Sequence, residues 1–76
     1  MTNQERIKRI VGKVLEIPMR RVKATEKLTD LGADSLNLVE IAMSIEDQFE
    51  VSISDNQLDK ASTLRDLYDL VKEDKS

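Results

Sequence analysis

The stretch LGADSL, residues 31–36, decides the fold because it predicts a tight turn that leads directly into a helix. Gly32 gives the backbone the freedom that a positive φ or a sharp bend requires. Asp34 or Ser35 can then act as the N-cap of the helix. The positive end of a helix dipole and its unpaired amides favour an anion, so a phosphate on Ser35 would be accommodated. A plain helix cap explains the same two residues.

The helix that follows has two apolar sides. At about 100° per residue, one side predicts a core-facing stripe of Leu38, Ile41, Ala42, Ile45 and Phe49. The opposite side should be polar, but large apolar residues interleave there with acids: Leu36, Val39 and Met43 with Glu40, Glu46, Asp47 and Glu50. An apolar ridge rimmed by charge of one sign indicates a docking surface.

These residues carry a resemblance to a known family. The motif LGA at 31–33, DSL at 34–36 and VE at 39–40, followed by an acidic helix, resembles that of the acyl carrier proteins. The resemblance extends over essentially the whole chain and is to the discrete, bacterial type II-like carriers. It implies that Ser35 is esterified with 4′-phosphopantetheine from coenzyme A, whose terminal thiol carries acyl groups as thioesters. Two residues depart from the pattern: Asn37 replaces a frequent acid, and Ser54 a frequent proline.

The resemblance also implies roles for the neighbouring side chains. Asp34 and Leu36 would flank the prosthetic group at Ser35. The expected docking face consists of Leu36, Val39, Glu40, Met43, Glu46 and Asp47. The expected lining of a sheltered acyl chain consists of Met43, Ile45 and Phe49. The partners would be a phosphopantetheinyl transferase (holo-carrier synthase), acyltransferases, ketosynthases and other acyl-processing enzymes, which would approach through basic surfaces.

The charge is unevenly distributed. The net charge is -3, but residues 1–27 contain eight Lys/Arg and three Asp/Glu, whereas residues 28–76 contain four and twelve. The acidic part argues against nucleic-acid binding and for basic protein partners. The chain has no His and no Cys, which excludes Ser-His and Cys-His nucleophiles and His- or Cys-ligated zinc. We therefore expect a non-enzyme without a metal site.

The chain of 76 residues predicts one acyl-carrier-like domain, residues 1–76, that is all-α. Capping boxes and apolar spacing predict four helices, at about residues 3–15, 35–50, 55–60 and 64–73. A long loop, residues 16–34, separates the first two, and Val22, Leu28 and Leu31 should anchor it to the core. Gly12 would permit a close approach between helices. The expected fold is a small four-helix bundle with a short third helix.

The function that the resemblance favours is transport of acyl thioesters in fatty acid or related acyl-chain biosynthesis. A polyketide or aminoacyl/peptidyl carrier is an alternative, and so is a helical interaction module that is never modified. A serine hydrolase would lack its histidine base, and a calcium loop starting at Asp30 would lack oxygen ligands at Gly32 and Ile41. With no signal peptide or membrane span in the sequence, we expect a cytoplasmic monomer.

Overall fold

The computed structural model describes the backbone of residues 2–74 and the side chains of residues 2–71. Four helices are present in that part of the chain: α1 (Asn3–Leu15), α2 (Ser35–Phe49), α3 (Asp55–Lys60) and α4 (Leu64–Asp74). The predicted all-α four-helix fold is confirmed, with α2 ending one residue earlier and α4 one residue later than expected. None of the helices in residues 2–74 is long and apolar enough to cross a membrane.

Reciprocal hydrogen bonds at the helix starts confirm the predicted capping boxes. Thr2 Oγ1 accepts the amide of Glu5 at 3.2 Å, and the Glu5 carboxylate accepts the amide of Thr2 at 3.3 Å. The carboxylate of Glu5 also accepts the hydroxyl of Thr2 at 3.1 Å, and the bonds from the amide and the hydroxyl of Thr2 to the carboxylate lower the pKa of Glu5. Ser54 and Gln57 form the same pair of bonds at the start of α3, at 3.1 and 2.9 Å. Each box satisfies amides that the first helical turn leaves without partners.

The loop between α1 and α2 is more structured than the sequence predicted. It contains two short 3₁₀ turns, Met19–Arg21 and Leu28–Leu31. The first follows Pro18, whose fixed φ suits the residue before a turn. The three expected anchors are confirmed as buried: Val22, Leu28 and Leu31.

Backbone hydrogen bonds hold this loop against the start of α4. The amide of Leu28 donates to the carbonyl of Ser62 at 2.8 Å, and the amide of Arg65 donates to the carbonyl of Ala24 at 3.1 Å. These bonds join segments that are distant in sequence. They fix the position of the chain just before it turns into α2.

An apolar core lies where α1 packs against α2 and α4. Within the described side chains, no charged or polar residue is buried. The fully buried large side chains are Ile7, Val11, Val22, Leu28, Ile41, Ile45, Leu64, Leu67 and Val71. The helical periodicity of the sequence predicted that Ile41 and Ile45 of α2 are buried, and both are 0% exposed.

The close approach at Gly12 is different from the expected one. A methyl group built on Gly12 would lie 3.1 Å from the carbonyl oxygen of Ile17 and 3.7 Å from the sulfur of Met19. The segment that comes close is therefore the loop that follows α1, not another helix. Gly12 allows the chain to fold back over the end of its own helix.

The C-terminal end of α2 receives a cation from α1. The last turn of α2 has no basic residue of its own. Arg6 donates from Nη2 to the carbonyl oxygen of Gln48 at 3.1 Å, and its guanidinium lies 4.3 Å from the ring centroid of Phe49. A positive charge at this end of a helix dipole stabilises the helix, and the stacking adds a cation–π contact.

Candidate functional site

The predicted turn before α2 depends on one glycine. Gly32 has a φ of 105°, which confirms the expectation of a positive φ at this position. Its amide donates to the carbonyl of Thr29 at 3.1 Å, and the amide of Ala33 donates to the carbonyl of Leu28 at 3.1 Å. The second 3₁₀ turn therefore ends at Gly32, and the buried Ala33 directs the chain into α2.

Asp34, rather than Ser35, is the N-cap of α2. Its Oδ1 accepts the amide of Asn37 at 2.8 Å, and Asn37 Oδ1 accepts the amide of Asp34 at 3.1 Å. The two residues form a complete capping box. This bond gives Asn37, which departs from the pattern of the resembled family, a structural role at the site. The cap also leaves the Ser35 hydroxyl outside the capping interaction.

Ser35 is the first residue of α2, and its side chain is exposed. The amides of the first turn and the helix dipole together favour a negative group at this point. A phosphodiester on the Ser35 oxygen would lie at the positive end of the 15-residue helix. The exposed hydroxyl and this electrostatic setting fit the attachment of a phosphate-linked prosthetic group.

The apolar ridge predicted on α2 is exposed. Leu36 is 67% exposed, Val39 45% and Met43 62%. Glu40 and Asp47 are also exposed on this helix. An exposed apolar strip with carboxylates beside it is suited to a partner whose surface is apolar and basic. Its use in docking stays a prediction.

Glu46 differs from the other acids assigned to the docking face. Its side chain is partly buried, and Oε2 accepts the backbone amide of Ile53 at 2.8 Å. A carboxylate bonded to a backbone amide holds the segment that carries that amide. Glu46 therefore fastens the linker after α2, a structural contact that the sequence did not reveal.

The acids near the end of α2 oppose the helix dipole. Glu46, Asp47 and Glu50 lie at its C-terminal end, where negative charge is unfavourable by about 0.3–1 kcal/mol per residue. Residues that break a local rule of stability are expected at functional surfaces.

Within the described side chains, no group of three His, Cys, Asp or Glu residues is placed to hold a metal ion.

A small cleft of about 230 Å³ lies beside Ser35, between α2 and α3. Its apolar lining comes from both helices and the residue after α3: Leu38, Val39, Leu58 and Ala61. Asp55 and Asp59 add carboxylates to the lining. Leu58 and Ala61 were not predicted as site residues, although a single apolar leucine in the polar helix α3 was a signal for Leu58.

The structure does not bring Met43, Ile45 and Phe49 together as the lining of a sheltered chain. Met43 and Ile45 are two residues apart, which places them roughly 200° apart around a helix. Met43 is therefore exposed, whereas Ile45 is 0% exposed in the core. Phe49 lies at the far end of α2, under Arg6. None of the three lines the cleft beside Ser35.

Comparison with protein families gives one match that spans most of the chain. The family model described as "Phosphopantetheine attachment site" matches residues 5–71. This range includes all of the loop, Ser35 and the whole of α2. Members of such a family carry 4′-phosphopantetheine as a covalently attached cofactor.

Solved structures with the same fold include several carrier proteins. A free-standing peptidyl carrier protein from Acinetobacter baumannii has a TM-score of 0.85 at 18% identity, over 96% of this chain and 91% of that one. The HMG-ACPI domain of the CurA module of Lyngbya majuscula has a TM-score of 0.81 at 21% identity, over 93% and 73%. A chain from the docking-domain complex PaxA T1-CDD/PaxB NDD of the Pax NRPS has a TM-score of 0.84 at 23% identity, over 97% of this chain and 69% of that one.

Proposed function

The chain belongs to the phosphopantetheine attachment-site family, and from that membership we propose that it carries acyl groups as thioesters on a 4′-phosphopantetheine arm attached to Ser35. The setting is fatty acid or related acyl-chain biosynthesis. The polypeptide holds and presents the cargo, while separate enzymes act on it.

The observation that carries the proposal is the position of Ser35. Its exposed side chain lies at the start of α2, where Asp34 has taken over the capping of the helix. The hydroxyl oxygen is therefore available to form a phosphodiester, and the helix end favours the negative charge of that group. The terminal thiol of the bound group supplies the thioester chemistry.

The exposed ridge supports recognition by the enzymes that modify and use the carrier. Leu36 and Val39 lie within about one turn of Ser35, so a partner that reaches Ser35 also covers these side chains. Glu40 and Asp47 would attract basic residues on a phosphopantetheinyl transferase, an acyltransferase or a ketosynthase. Attraction of this kind raises the association rate and weakens as salt is added.

The proposal about the cargo is based on the apolar side chains beside Ser35. Leu38, Leu58 and Ala61 offer an aliphatic surface to a chain attached nearby. These aliphatic side chains favour a hydrocarbon chain, whereas Asp55 and Asp59 in the same lining would attract the ammonium of an aminoacyl group, so the acyl cargo is supported by the apolar part of the lining alone. We therefore propose an acyl cargo, with the aminoacyl or peptidyl carrier as the alternative that the following experiment separates.

The experiment identifies the cargo on the protein purified from its native cells. Hydroxylamine cleaves thioesters, and mass spectrometry identifies the hydroxamates that it releases. We expect acyl hydroxamates without an amino group from the natural chain, and none from the Ser35→Ala variant. Release of aminoacyl hydroxamates would replace the acyl proposal with the peptidyl one. Absence of any pantetheine-bound cargo on a modified Ser35 would contradict both.

A further inference from the structure

A groove of about 710 Å³ lies away from Ser35, between α1 and α2. Basic side chains recur on the α1 side at Arg6, Arg9 and Lys13. Their spacing of three and four residues places them along one side of the helix. At about 1.5 Å per residue the three span roughly 10 Å, or two helical turns.

The groove differs in charge from the rest of the molecule. Its lining contains three cations and two carboxylates, those of Glu16 and Glu40, whereas the whole chain has a net charge of -3. The remaining lining is apolar or neutral: Ile10, Val14, Ser44 and Gln48. An acidic protein therefore presents a groove whose lining has one more cation than carboxylates and includes apolar side chains.

One of the three cations is held in place by the fold. Arg6 donates to the carbonyl of Gln48 and stacks on Phe49, so its guanidinium is fixed at one end of the groove. Arg9 and Lys13 are exposed. Exposed cations beside a half-buried Val14 combine electrostatic and apolar attraction for one bound segment.

We propose that this groove binds an acidic peptide segment of a protein partner, one that carries apolar side chains between its carboxylates. The carboxylates pair with Arg9 and Lys13, and an apolar side chain contacts Val14. The groove involves the Glu40 side of α2, whereas Leu36, Val39 and Met43 form the ridge. Glu40 borders both surfaces, so a segment bound along α1 and an enzyme on the ridge meet at this residue. This proposal does not depend on the modification of Ser35.

A fluorescein-labelled peptide of repeated Glu-Glu-Leu units tests the groove by fluorescence anisotropy at low salt. The test variant is Arg9→Gln/Lys13→Gln. The matched control is Arg20→Gln/Lys23→Gln, which removes the same charge from exposed positions outside the groove. From the loss of two exposed ion pairs we expect about fivefold weaker binding in the test variant. We expect less than a twofold change in the control and weaker binding to natural protein as salt rises.

Three outcomes would overturn the proposal. They are no peptide binding at low salt, an equal loss in the two variants, and binding of a single-stranded oligonucleotide as tight as that of the peptide. An equal loss in the two variants would show attraction by net charge alone. Equally tight binding of the oligonucleotide would show that the surface binds any polyanion. In an NMR titration with the peptide, the chemical shifts of Arg9, Lys13 and Ser44 must also change. Loading of Ser35, measured in parallel on both variants, reports separately on the carrier function.

Discussion

The carboxylate of Glu46 accepts the backbone amide of Ile53 at 2.8 Å. The bond joins the last part of α2 to the linker that leads into α3. Leu58, which follows in α3, lines the cleft beside Ser35. Glu46 thus holds the linker that leads to one wall of that cleft, whereas Asp47 and Glu50 are exposed.

Glu46 and Asp47 are therefore expected to differ when each is replaced by alanine. Loss of a hydrogen bond to a charged group costs about 1.5–3 kcal/mol. We expect Glu46→Ala to lower the free energy of unfolding by about 1–2 kcal/mol, because the bond is only partly buried. Asp47→Ala should change it by less than about 0.5 kcal/mol, as is usual for an exposed position. Urea unfolding measures both.

The same two variants separate structure from docking. The association rate with a phosphopantetheinyl transferase at low salt should fall in Asp47→Ala, since an exposed charge that steers the encounter is lost. Equal stability of the two variants would contradict the structural role of Glu46. An unchanged association rate in Asp47→Ala would remove Asp47 from the docking face.

Glu50 has a left-handed backbone conformation, with a φ of 54°, at the end of α2. This conformation costs an L-residue about 1–2 kcal/mol, a cost that glycine avoids. Glycine has more conformational freedom in the unfolded chain, and this offsets about 0.5–1 kcal/mol of the stability gained by the substitution. We expect Glu50→Gly to raise the free energy of unfolding by about 0.5 kcal/mol. Thermal and urea unfolding provide the measurement.

Gly32→Ala is the matched control for Glu50→Gly, because it introduces a side chain at a positive φ where Glu50→Gly removes one. A methyl group at Gly32 would meet no atom within 4 Å, so the strain of its φ of 105° is the only penalty. We expect a loss of about 1 kcal/mol or more. Destabilisation by Glu50→Gly together with tolerance of Gly32→Ala would contradict the left-handed assignments.

The start of α4 makes stability depend on pH. Asp66 accepts the amides of Ser62 at 2.8 Å and Thr63 at 3.1 Å, and these bonds lower the pKa of its carboxyl below the ordinary value. A carboxyl with a lowered pKa in the folded state stabilises the protein above its unfolded pKa, of about 3.9. That contribution is lost as the pH falls through the lower, folded pKa.

Asp66→Asn tests this dependence. We expect natural protein to lose more stability than the variant between about pH 5 and the acid limit of folding. At neutral pH the variant should be less stable by up to about 1 kcal/mol, the usual size of a helix-cap contribution. Chemical unfolding at several pH values gives the comparison. Parallel stability curves for the two proteins would exclude Asp66 as a source of the pH dependence.

Local rules predicted the helices and their starts. Thr2 with Glu5 and Ser54 with Gln57 lie three residues apart, and this spacing is sufficient to place α1 and α3. Burial of Ile41 and Ile45 followed from the period of the helix in the same way. The exposed ridge was predictable because Leu36 and Met43 lie off that stripe.

Contacts between distant segments were not predictable from these rules. The 3₁₀ turn Leu28–Leu31 depends on a bond from Leu28 to Ser62, and the contact of Arg6 with Phe49 joins α1 to the end of α2. No spacing in the sequence reveals such pairs. Met43 and Ile45, two of the residues expected to line an acyl chain, lie on opposite sides of one helix, and their role toward cargo stays a prediction.

A chain sheltered in the cleft beside Ser35 would raise thermal stability. Each buried CH₂ contributes about 0.8 kcal/mol, and a group bound only to the folded state stabilises it. We expect the melting temperature to rise from acetyl to medium-length acyl groups on the arm. The rise should then stop, because the cleft of about 230 Å³ is smaller than ligand pockets of about 300–1,000 Å³.

Two alanine variants locate the sheltering surface. Leu58→Ala should reduce the rise in melting temperature, since Leu58 lines the cleft, whereas Met43→Ala should leave it unchanged. The reverse pattern would restore Met43 as a lining residue. A melting temperature independent of chain length in natural protein would place the acyl chain in solvent.

Intact-mass spectrometry after incubation with coenzyme A and a phosphopantetheinyl transferase tests most directly whether Ser35 carries the prosthetic group. Natural protein should gain the mass of one 4′-phosphopantetheine, and Ser35→Ala should gain none while its helical circular dichroism is retained. Ser54→Ala is the matched control, because Ser54 also stands at the start of a helix, and it should be modified like natural protein. Continued modification of Ser35→Ala, or its loss in Ser54→Ala with the fold intact, would contradict attachment at Ser35.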